Sequence, residues 1–106
     1  MAAIADEARN TLSAPVLRVS TDDNLCSMVE IRGSLDEVFP NGIIENSRWF
    51  LITISPACRK RYYDEGDEVT AAMVTKSFKI PQTFRRVTGS PAKVIESVKK
   101  YLDKIS

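Results

Sequence analysis

Trp49 to Val69, WFLITISPACRKRYYDEGDEV, decides the fold of this chain. Trp49 to Ile54 is a continuous apolar run rich in aromatic and β-branched residues, which reads as a central strand. A basic turn, Arg59-Lys60-Arg61, follows, and then a Gly66-Asp67 turn before the next β-branched run begins at Val69. Two strands joined by a polar, charged connection make a β-rich architecture, and the segment holds no catalytic signature.

Strands extend outward from it in both directions. Val16 to Val19 reads as a short strand stopped by the turn-forming Thr21-Asp22-Asp23-Asn24. From Met28 to Leu35 the pattern alternates: Val29, Ile31 and Leu35 fall on a buried face, and Glu30, Arg32 and Ser34 on a wet one. Gly33 on the buried side signals a bulge or a close backbone approach. Pro40-Asn41-Gly42 supplies hairpin chemistry, with a return through Ile43-Ile44 and a second turn at Glu45 to Ser47. Val69 to Val74 and Lys76 to Ile80 read as one long strand or two short ones, ended by Pro81. Last comes a helix: Ser90 is a cap, Pro91 suits the first turn, and Val94, Ile95, Val98, Leu102 and Ile105 form an apolar stripe.

The expected fold is therefore α+β and mostly β, a small five- or six-stranded barrel or curled antiparallel sheet with a C-terminal amphipathic helix. Residues 1–14 read as a flexible tail preceding a single domain over residues 15–106, although Ile4, Ala8 and Leu12 recur at helical spacing. A chain of 106 residues with 43% hydrophobic and 27% charged content suffices for one compact core. Asp6 and Glu7 argue against a signal or transit peptide, and no run reaches membrane-spanning length, so no membrane partner is expected.

Charge and residue inventory narrow the chemistry. The formal net charge is only +1, so attraction to polyanions must come from local clusters. Histidine is absent, which excludes Ser-His and Cys-His nucleophile pairs and removes the commonest neutral-pH acid or base. Cys26 and Cys58 lack metal or redox spacing and read as buried, reduced thiols, from which a cytoplasmic location is expected. Asp22-Asp23 and the carboxylates around Gly66 sit in turns, where solvated side chains are the usual explanation, and their order does not match a calcium loop. No phosphate-cradling glycine loop occurs. Neither a metal nor a cofactor is expected, and the chain reads as non-enzymatic.

Two clusters remain. Arg59, Lys60 and Arg61, followed by Tyr62, combine phosphate-binding charge with an aromatic face, the mixture used by single-strand binders. The competing reading is a solvated strand end with a packed tyrosine. Arg85 and Arg86 precede Thr88, Ser90 and a helix N-terminus, an arrangement suited to an anion or to phosphorylation, with an ordinary helix cap as the alternative. These six residues are the candidate nucleic-acid contacts, with DNA or RNA as partner. The alternative is a protein-interaction or assembly subunit, including a homo-oligomer, joined through the C-terminal helix or a strand edge.

Ile52-Thr53-Ile54, Arg59 and Gly66-Asp67-Glu68-Val69 resemble the strand, arginine, Gly-Asp-x-Val, strand hairpin of AbrB-type regulators. That resemblance implies a swapped-hairpin dimer binding DNA through arginines, with Arg59 on a phosphate or base edge. Roughly Met28 to Leu102 is similar to a split-barrel domain family of unknown function, some of whose members accompany a bacteriocin-protection-type domain. Val29-Glu30-Ile31-Arg32-Gly33-Ser34-Leu35 matches its opening strand, and Lys76 to Phe84, KSFKIPQTF, its closing segment.

Overall fold

A computed structural model describes residues 1–12, 16–22, 27–35, 48–57 and 62–105. Five strands form one antiparallel sheet in chain order: β1 Val16–Asp22, β2 Met28–Ser34, β3 Trp49–Pro56, β4 Val69–Lys76 and β5 Val87–Gly89. Helix α1, Ala2–Thr11, precedes the sheet, and α2, Pro91–Ile105, follows it. The chain is thus α+β, mostly β, with the expected C-terminal amphipathic helix. Barrel and curl give way to an open sheet, because β1 pairs only with β2 and β5 only with β4, leaving both as edges.

Period-two patterning explains the sheet. Along β3, Phe50, Ile52 and Ile54 are buried while Trp49, Leu51, Thr53 and Ser55 are half-buried, so one face meets the core and the other is left more open. Val29 and Ile31 of β2 and Val69 and Ala71 of β4 continue the core face. Both helices complete that core, with Ile4, Ala5 and Ala8 from α1 and Val94, Ile95, Val98 and Leu102 from α2. Gly33 does mark a bulge: it pairs with Val16, Arg32 pairs with Arg18, and the extra residue lies in β1. Among the described residues, no helix is long and apolar enough to cross a membrane.

Residues 2–11 are a helix and not a flexible tail. Alanines at positions 2, 3, 5 and 8 favour the conformation, but ten residues alone would be marginal. What holds the helix is burial of Ile4, Ala5, Ala8 and Leu12 against the core. Arg9 adds a tie, donating to Asp6 Oδ1 at 2.7 Å and to the Val19 carbonyl of edge strand β1 at 2.9 Å.

Lys76 to Ile80 also departs from its strand reading. β4 ends at Lys76, and the chain turns at Ser77, whose hydroxyl accepts from Lys79 N–H at 3.2 Å and whose carbonyl accepts from Ile80 N–H at 3.1 Å. A serine acceptor competing with the ladder explains the exit. Ile80 then enters the core, while Phe78 is left 77% exposed. β5, unforeseen from sequence, follows, and its three residues pair with Val69–Ala71.

Gly66 takes φ +93°, and Asp67 Oδ2 accepts from Asp64 N–H at 3.1 Å, as the Gly-Asp reading requires. Ser90 caps α2, its hydroxyl accepting from Lys93 N–H at 3.4 Å. The hairpin at Pro40-Asn41-Gly42, the turn at Glu45 to Ser47, both cysteines, and Arg59, Lys60 and Arg61 lie outside the described residues.

Candidate nucleic-acid interface

Helix α2 and the extended segment before β5 enclose a groove of about 660 Å³. Ser97, Lys100, Tyr101 and Lys104 line it from the helix, at i, i+3, i+4 and i+7, the spacing of one helical face. Arg85 and Arg86 line it from the segment opposite, together with Gln82, Thr83 and Phe84. Apolar residues on the adjacent helix face, Val94, Val98 and Leu102, are buried and orient this polar face outward along the groove.

Four cations therefore converge from two elements. No carboxylate lines the groove among the described residues, and none of the four cations joins an ion pair there; the ion pairs seen are Arg9–Asp6 and Arg32–Glu30. Such a cluster gathers positive charge along a concave surface, where field lines are focused.

The groove wall is braced by aromatic contacts. Phe84 meets Tyr101 edge-on at a centroid distance of 5.3 Å, and Phe84 is 7% exposed while Tyr101 is half-buried. Tyr101 Oη–H donates to the Gln82 carbonyl, fastening the segment to the helix. Burial pushes the Tyr101 phenol above its ordinary value.

A second groove, about 530 Å³, crosses the sheet face opposite the helices. Thr53 and Ser55 of β3, Thr70, Ala72 and Met73 of β4, and Ser27 and Met28 at the start of β2 line it. It ends at Ala57, the residue before Cys58 and the basic turn. Both grooves have volumes in the range of ligand pockets, about 300–1,000 Å³, yet they are open along their length. They suit a ligand that lies on the surface better than one enclosed by it.

Of the six residues singled out from sequence, Arg85 and Arg86 are brought together with Lys100, Lys104 and Tyr101. Tyr62 is 55% exposed and lines neither groove. Arg59, Lys60 and Arg61 lie outside the described residues, so their distance from the groove is not part of this geometry. The basic charge over Lys93 to Lys104 is visible in the sequence, but Lys100, Tyr101 and Lys104 were not among the candidate contacts; their i, i+3, i+4, i+7 set with Ser97, beside the apolar stripe of α2, was the available signal.

Among the described residues, no three thiol or carboxylate side chains gather as a metal site. No buried side-chain nitrogen or oxygen is left without a hydrogen-bond partner there. No protein-family model matches the chain, and no curated protein or solved structure matches it either.

Proposed function

We propose that this protein is a non-enzymatic binding module that holds nucleic acid through its phosphate backbone. The observation that supports this reading is the convergence of Arg85, Arg86, Lys100 and Lys104 on one open groove with no lining carboxylate. Arginine and lysine neutralise phosphates and release condensed counterions. Arg59, Lys60 and Arg61 are proposed as a further contact, on the strength of their charge and of the hairpin resemblance.

The assembly reading rests better on a strand edge than on α2. Val98 is 0% and Leu102 3% exposed, so these stripe residues of α2 pack into the protein's own core.

Fluorescence anisotropy with labelled single- and double-stranded DNA and RNA at two salt concentrations tests the proposal. Binding that weakens with salt, and that Arg85→Ala with Lys100→Ala weakens further while the far-ultraviolet circular dichroism is unchanged, is the expected outcome. Equal affinity in that double variant, or no binding at low salt, would sink it.

A further inference from the structure

We infer that the ligand is a single strand running through both grooves, crossing the sheet edge at Arg86; this rests on the nucleic-acid reading above. Arg86 is the lining residue the two grooves share. One groove lies on the helix side of the β5 edge, and the other lies on the opposite sheet face, so a ligand occupying both must turn around that edge. A flexible single strand makes this turn, whereas duplex DNA, with a persistence length of about 150 base pairs, resists so sharp a bend over a few base pairs.

Chemistry along the path fits the same ligand. Cations stand at the helix-side groove, and Arg86 marks the crossing. Thr53, Ser55 and Thr70 then line the sheet-face groove with hydroxyls that donate to and accept from sugar or base atoms. Met28 and Met73 supply adaptable apolar surface for bases. No carboxylate lines this second groove among the described residues. Its near neighbour Glu30, paired with Thr53 across the sheet, is held by Arg32 at 3.3 Å. The β5 edge is short, three residues, and among the described residues no strand pairs with its outer side.

The test is an NMR titration of the ¹⁵N-labelled protein with a uridine oligomer of about eight nucleotides, within the span of single-strand sites. Amide shifts are expected both at Ser97 to Lys104 and at Thr53, Ser55 and Thr70, saturating together. Arg86→Ala is expected to lower affinity about tenfold, as loss of a charged hydrogen bond would, with Arg86→Lys recovering part of it. Shifts confined to the helix-side groove would overturn the path while leaving nucleic-acid binding intact. A duplex of equal length binding as tightly as the single strand would also overturn the path. No shift in either groove at low salt would overturn the path and the nucleic-acid reading together.

Discussion

At the scale of single residues, two positions show how local chemistry commits the backbone. Gly66 at φ +93° has nothing within 4 Å of where a Cβ would sit, so replacement there meets backbone strain and no steric contact. Gly66→Ala is expected to lower unfolding stability by about 1 kcal/mol in a urea titration. Tyr101 is the second position. Its phenol titrates above the ordinary 10.0 because burial disfavours the charged form. Below that value the phenol is protonated in both states and contributes no pH dependence. As pH rises beyond it, the unfolded chain releases the proton first, so stability falls. Of the three tyrosines, one is expected to ionise late in a near-ultraviolet absorbance titration of the folded protein. Tyr101→Phe should remove that late component; its persistence would assign it to another tyrosine.

Helices and strands are held by different means. α2 carries its own instructions, with Ser90 as cap, Pro91 in the first turn and an apolar stripe whose members are all buried or half-buried. Leu102→Ala is expected to cost about 2–5 kcal/mol, the range for a buried leucine truncated to alanine. Val98→Asp and Leu102→Asp should unfold the monomer, and light scattering should register no dissociation of an assembly first, because the stripe faces inward. α1 depends on its neighbours instead. Its tie from Arg9 to the Val19 carbonyl occupies an acceptor on the outer edge of β1, a device that also blunts an edge otherwise open to pairing. Arg9→Ala should leave the sheet intact but speed amide hydrogen exchange in α1 relative to α2; equal protection of the two helices would refute that role.

Across the whole molecule, charge placement outweighs charge total. A net charge of +1 provides almost no long-range attraction, so the salt response reports local basic clusters, the groove first among them. With four phosphates neutralised on a single strand, the logarithm of the binding constant should fall with the logarithm of salt at a slope of about −3. Replacing both Lys100 and Lys104 with alanine should reduce that slope by about 1.4. A slope unchanged by the pair would place the phosphates elsewhere, with the basic turn at Arg59 to Arg61 the next residues to alter.

Sequence alone determined the α+β class, the central place of Trp49 to Ile54, the Gly66-Asp67 turn, the capped amphipathic α2 and the alternation of Met28 to Leu35 as far as Gly33, beyond which Ser34 is buried and not on the wet face. Each is written in contacts between residues a few positions apart, where spacing and turn chemistry suffice. Tertiary structure alone decided the rest. β5 exists because Val87–Gly89 meets Val69–Ala71, a pairing of residues 16 to 20 positions apart that no local pattern records. α1 is helical because the core accepts Ile4, Ala5, Ala8 and Leu12, and the sheet is open because β1 and β5 end as edges. Arg85 and Arg86 were visible as a charged pair, but their juxtaposition with Lys100, Tyr101 and Lys104 depends on how α2 folds back beside the segment before β5. Short-range order follows from residue propensity and periodicity, whereas a site assembled from distant segments is fixed by which surfaces the core brings together.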